Sequence, residues 1–196
     1  MDEKGTCPLP GDRWLSPAQR LSRVAAALLA LGACGAVLTR VVHSQTLADQ
    51  SQSRSIRDLL EKQTLELINR DRAAPEYLAE TRGRARPLLW DDRLAAVARA
   101  HSEEMAREGY FSHDSADGAS PAERISSAGI PWARVSENIA SCRTIGQAES
   151  TFMDEPKFEQ NHRWNILNPD YTRVGVGIAK GSDGMLYITE DFAQLR

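Results

Sequence analysis

The most uniform apolar run lies near the N-terminus, where residues 24–38 read VAAALLALGACGAVL without a charge. Arg20 and Arg23 precede it, Arg40 follows, and Val41 and Val42 extend it. About 20 apolar residues span a bilayer, and an arginine within the flank can snorkel to the headgroups. Residues 24–42 therefore read as a transmembrane anchor or signal segment, forming one N-terminal hydrophobic helix. An uncleaved anchor, a cleaved signal peptide and a lipoprotein signal all remain open, the last because Leu31-Gly32-Ala33-Cys34 has lipobox spacing. Positive charge accumulates on the cytoplasmic side of such segments, so Arg20 and Arg23 put the downstream chain outside the cytoplasm. Residues 1–23 carry Gly5, Pro8, Pro10, Gly11 and Pro17 and read as a disordered leader. Residues 43–55 are polar and rich in Ser and Gln, and read as a linker.

From residue 56 the pattern changes. Ile56, Leu59, Leu60, Leu67 and Ile68 recur at helical spacing through Arg72. Pro75 and residues 80–84 predict a loop. Asp91 or Asp92 caps a second helix ending near Glu108, with Leu94, Ala98, His101 and Met105 on one face and Gly109 as its stop. A looped region follows, with Asp117-Gly118 and a short helix over 121–127. Residues 145–154 predict another helix. Residues 171–178 (YTRVGVGI) and 186–192 (LYITEDF) alternate like strands joined by a turn at 182–184. Helices and strands are segregated along the chain, which predicts an α+β domain over residues 56–196.

Composition narrows the reading in two ways. The net charge of -3, with acids and bases interspersed, gives no case for nucleic-acid binding. Of the three cysteines, only Cys142 falls in the domain, so no disulfide can form within that segment and the core alone is expected to hold it. Cys142 reads as a small core residue rather than a nucleophile.

Four histidines are candidates for chemistry. His43 lies in the linker, and His101 shares the apolar face of the second helix. His113 and His162 fall between predicted elements, where binding residues concentrate. Glu137 sits among small and apolar residues, where a carboxylate needs partners, and Glu155 follows Phe152-Met153-Asp154. Trp90, Trp132 and Trp164 either pack or line a groove. G-x-S-x-G, Walker and G-x-G-x-x-G patterns are absent.

Residues 94–102 with Met105, then Phe111-Ser112-His113, Ser136-Glu137-Asn138, His162-Arg163-Trp164-Asn165-Ile166-Leu167 and Val174-Gly175-Val176-Gly177 form an ordered series. The series resembles bacterial single-domain CAP proteins (SCP-like; cysteine-rich secretory, antigen five, pathogenesis-related 1) along residues 59–196. The resemblance implies an α-β-α sandwich with a small antiparallel sheet between helices. It implies a cavity tetrad of His113, Glu137, Glu155 and His162, with Glu155 ending a stretch in which Phe152 replaces the family's tryptophan. Ser136 replaces the usual glycine, and the disulfide cysteines of plant and animal members are missing. In some members the resemblance implies a divalent metal such as zinc, here on His113 and His162. It leaves two functions open: a noncatalytic module for a lipid, cell-wall glycan or protein, or a metal-assisted hydrolase with Glu137 or Glu155 as base.

Overall fold

A computed structural model describes the backbone of residues 35–196 and the side chains of 49–196. The expected leader and most of the hydrophobic segment, with Cys34, lie outside the described residues, as does the side chain of His43. No helix among the described residues is long and apolar enough to cross a membrane. The chain divides into two compact units, one containing Arg57–Arg196. In the other, the described residues are helical: α1 runs Gly35–Ala73 and takes in the stretch expected as a linker. That stretch, HSQTLADQSQSRS, contains neither Gly nor Pro, and its Ala, Leu, Gln and Arg are good helix formers.

In the larger unit the buried face of α1 is more polar than its apolar spacing suggests. Leu59 is exposed, whereas Glu61, Thr64, Ile68, Asp71 and Arg72 are buried. Each buried charge needs a partner. Glu61 accepts two hydrogen bonds from Arg99, at 3.0 and 2.6 Å, and one from the Ile178 backbone N–H at 3.3 Å. Arg72 donates to the carbonyls of Arg86 (2.7 Å), Ile166 (2.6 Å) and Asn168 (2.9 Å). Burial pushes its guanidinium down to about 10.

A 3-10 turn (Pro75–Tyr77), α2 (Leu78–Thr81) and the two-residue strand β1 (Leu89–Trp90) follow. Then comes α3 (Asp92–Glu108), where Asp91 accepts from the N–H groups of Arg93 and Leu94 and Gly109 closes the helix at φ 72°. Its expected face, Leu94, Ala98, His101 and Met105, is buried. Next are α4 (Pro121–Ser127), opened by a Ser120/Glu123 capping box, and β2 (Trp132–Cys142). The chain ends with α5 (Ile145–Met153), α6 (His162–Leu167), β3 (Arg173–Lys180) and β4 (Leu186–Leu195). The β2 strand and α6 fall where no element was expected. The last six residues of β2 are buried on both faces, so they show no alternation, and α6 has only six residues.

The four strands form one sheet in the order β1-β3-β4-β2. The expected antiparallel sheet holds for β2, β3 and β4, but β1 pairs with β3 in parallel, so the sheet is mixed. Helices cover both faces. On one, Gly175 and Gly177 let the α3 backbone press against β3: an added Cβ would meet Ala95 N or Arg99 N at 2.1 Å. On the other, Val174, Val176, Ile178 and Ile188 pack in one cluster with Ile68, Ala148, Phe152 and Ile166. The layering is α-β-α. Cys142 is fully buried in that cluster and is disulfide-bonded, so it offers no thiol nucleophile and the core is not the domain's sole support.

Two predictions follow from this packing. Gly177→Ala forces α3 backbone and β3 apart, and a loss of about 2 kcal/mol or more is expected in thermal or denaturant unfolding. In β4, burial pushes the Glu190 carboxyl up from 4.5 to about 8. The folded state then holds a proton that the unfolded chain releases across that interval, so Glu190's contribution is present below pH 4.5 and lost as pH rises towards about 8. Melting temperature should fall over that window, and Glu190→Gln should flatten the slope.

Candidate functional site

The four residues of the expected tetrad come together in two hydrogen-bonded pairs on one cavity of about 1130 Å³. His113, in the loop after α3, meets Glu137 of β2: Nδ1 donates to Oε1 at 2.7 Å. His162, the first residue of α6, meets Glu155, in the loop after α5, at 2.6 Å through Nδ1. A charged carboxylate only accepts hydrogen bonds, so both imidazoles carry their proton on Nδ1. Nε2 is left on each ring for a ligand.

The two pairs are held differently. Glu137 is buried, and its second oxygen accepts from Arg124 of α4. Arg124 also donates to the carbonyls of His113 (2.7 Å) and Ala119 (2.9 Å), and so fixes the loop that carries His113. Sequence reasoning missed Arg124. Its available signal was the capping box, which starts α4 four residues ahead of it. Beside Glu137 across the strands, Asp191 is buried with no partner for either oxygen, and burial with the Glu137 charge pushes its carboxyl well above the usual range.

At the other pair, Asn161 caps α6 by accepting from the Trp164 N–H at 3.0 Å, which sets His162 at the helix start. Phe152 stacks on the His162 ring, with centroids 4.7 Å apart and planes at 25°, so the phenylalanine fills the place of the expected tryptophan. Burial pushes the Glu155 carboxyl up, but the hydrogen bonds from His162 and the Arg163 N–H hold it below its ordinary value. Arg163 pairs with Glu80 at 2.6 Å and donates to the Met153 carbonyl, tying α6 to α2 and α5. Between the pairs, Asn138 donates to the His162 carbonyl (3.3 Å) and to Glu190 (3.0 Å), and Asn165 donates to Asn138 (2.9 Å).

Trp132 and Trp164 line the cavity and Trp90 does not: its ring lies under Lys62 Nζ at 3.8 Å. His101 is a core residue, as expected, with Nε2 2.9 Å from the Ser112 carbonyl. Among the described residues, no three His, Cys, Asp or Glu side chains are placed to hold a metal ion together. Two imidazole nitrogens fall short of the three protein ligands of a catalytic zinc centre.

An α-β-α sandwich with two His–Glu pairs facing one cavity defines an SCP-like domain. Residues 65–192 match the CAP family, the cysteine-rich secretory protein family, and the chain belongs to it. Two Bacillus subtilis proteins are similar to it. YkwD is 32% identical over 162 residues, covering 82% of this chain and 56% of its own length. The membrane protein YlbC is 33% identical over 139 residues, covering 71% and 36%. The chain therefore spans about half, or less, of these relatives. Among solved structures, an extracellular SCP-domain protein of Bacillus anthracis aligns at TM-score 0.58 and 26% identity, covering 72% of this chain and 42% of the other.

The Arg124–Glu137 pair is buried, and removing one partner of such a pair leaves an uncompensated charge. Arg124→Ala is expected to destabilise the domain by about 3–5 kcal/mol in denaturant unfolding. Arg124→Lys should recover only part of that, because an ammonium lacks the planar fork that reaches carboxylate and carbonyls together.

Proposed function

We propose that this chain is a noncatalytic binding module outside the cytoplasm, with its ligand in the cavity between the His113–Glu137 and His162–Glu155 pairs. The observation that carries this reading is the commitment of both carboxylates. Glu137 is engaged by His113 and Arg124, and Glu155 by His162 and a backbone N–H. Both carboxylates are used to orient an imidazole, which favours a positioning role for them over that of the base in a metal-assisted hydrolysis. The same bonds orient the imidazoles, and oriented side chains bind a ligand with less ordering cost.

The cavity exceeds the usual range for a small organic ligand, about 300–1,000 Å³. Its lining mixes polar Glu159, Gln160, Asn161 and Asp170 with apolar Trp132, Val135, Trp164 and Tyr171, which suits a lipid, a cell-wall glycan or a protein. An extracytoplasmic location is supported by the B. anthracis relative, described as extracellular, and the apolar segment 24–42 supports a membrane tether. A divalent ion such as zinc would be held by His113 and His162 and would supply a positive anchor for an anionic or carbonyl group.

The test uses the full chain in detergent micelles, with wall glycan fragments and short peptides as probes. His113→Ala/His162→Ala should weaken binding by about tenfold or more, equivalent to about 1.4 kcal/mol, while circular dichroism stays unchanged. Equal binding by the folded double variant would place the ligand elsewhere. Hydrolysis of either probe by the unaltered chain, lost in the double variant, would replace this reading with an enzymatic one.

A further inference from the structure

We propose that the open edge of β2 takes an extended polypeptide segment bearing Lys or Arg as a fifth strand of the sheet. The proposal rests on the cavity being the binding site and names the class of its ligand.

The register shows which backbone groups are available. Val135 lies opposite Ala193 and Glu137 opposite Asp191. The Ala193 carbonyl accepts from Thr172 N–H at 3.0 Å, on the β3 side of β4. In an antiparallel ladder a residue's N–H and C=O point to the same side. Ala193 and Asp191 therefore bond towards β3, and the Val135 and Glu137 peptide groups turn outward, away from β4. The Glu137 carbonyl bears this out: it accepts from Asn165 of α6, at 3.3 Å, beyond the sheet edge. The Val135 N–H, the Val135 C=O and the Glu137 N–H have no such partner among the described residues. These three groups lie in a row on a strand whose residues 132 and 134–137 line the cavity.

Unpaired edge groups are a template for another strand, and natural edges are usually blunted. Here the register shift between Trp132 and Arg134 blunts the start of β2 and Asn165 covers the Glu137 carbonyl, leaving the three groups between them open. The cavity then gives the added segment a boundary. Trp132 stands at the register shift, and His113 and His162 close the far end by Glu137. Trp164, 36% exposed, offers an aromatic surface for a lysine stem or guanidinium.

Charge selects the occupant. Glu137, Glu155, Glu159 and Asp170 line the cavity against one guanidinium, Arg134. Arg124 neutralises Glu137 and Arg134 pairs with Asp170 at 3.3 Å, so the excess of negative charge that remains is that of Glu155 and Glu159. A strand at about 3.3 Å per residue sends every second side chain to the same face, so Lys or Arg at alternate positions would meet that excess.

The probe is an acetylated, amidated heptapeptide alternating lysine and threonine, titrated into the full chain in detergent micelles. Hydrogen exchange at the Val135 and Glu137 amides is expected to slow about tenfold or more at saturation, with β3 amides unaffected. Two analogues, one N-methylated along the backbone and one with glutamate for lysine, should bind about tenfold more weakly or worse. Val135→Pro removes an outward N–H, which an edge strand tolerates, and should weaken the peptide while the melting temperature stays within a few degrees. Binding by the N-methylated peptide as tight as the parent, or binding without slowed exchange, overturns the proposal. So does an absence of peptide binding. If an N-acetylglucosamine oligomer binds instead, and the double histidine variant loses it, strand addition fails while the cavity remains the binding site. If the peptide binds equally to the double histidine variant and still protects the two amides, strand addition stands and the histidine site fails.

Discussion

One buried carboxylate connects three parts of this chain that its order keeps apart. Glu137 on β2 accepts from His113, in the loop after α3, and from Arg124 on α4. A carboxylate in that position is tolerable only because both partners reach it. In return it decides where the loop lies and how the His113 ring is turned. Arg124 extends the hold by binding the His113 carbonyl, so backbone and side chain of the same histidine answer to one ion pair. The cavity wall is therefore set by charge satisfaction rather than by apolar packing.

The second wall obeys another logic. His162 is placed by helix chemistry: Asn161 caps α6, Phe152 supports the ring from below, and Glu155 holds its edge. Asn138 and Asn165 join the two walls through amide bonds, and Asn138 continues to Glu190 inside the sheet. A chain of polar contacts thus runs from the cavity into the core. Such networks rigidify when every member is satisfied. Glu190 fits because burial keeps its proton on, leaving a neutral acid beside Asn138.

Much of this was legible in the residues. The apolar face of α3 and the Gly109 stop have the period and chemistry that identify a helix, and the glycines of β3 alternate with the valines that face the opposite layer. The tetrad was readable only through the resemblance. Nothing in periodicity links His113 to Glu137, because a loop and a strand meet there through tertiary folding. The missing elements failed for physical reasons. In the β2 strand a partly exposed first half precedes a second half buried on both faces, and α6 is too short for a period to develop. The helical spacing up to Arg72 identified this part of α1, but not its buried face, because bonded Glu61 and Arg72 occupy positions where an apolar residue would ordinarily sit. Arg124 carried no mark beyond its place behind a capping box.

The polar face of α1 has a further consequence for how the domain could be released from whatever precedes it. Glu61 is bonded to Arg99 and Ile178, and Arg72 reaches carbonyls as far along the chain as Tyr171. The C-terminal half of this long helix is structurally inseparable from the sandwich. A processing protease that shed an intact domain would have to cut upstream of Arg57. A cut between Glu61 and Arg72 would leave Arg99 without its carboxylate and destabilise the fragment.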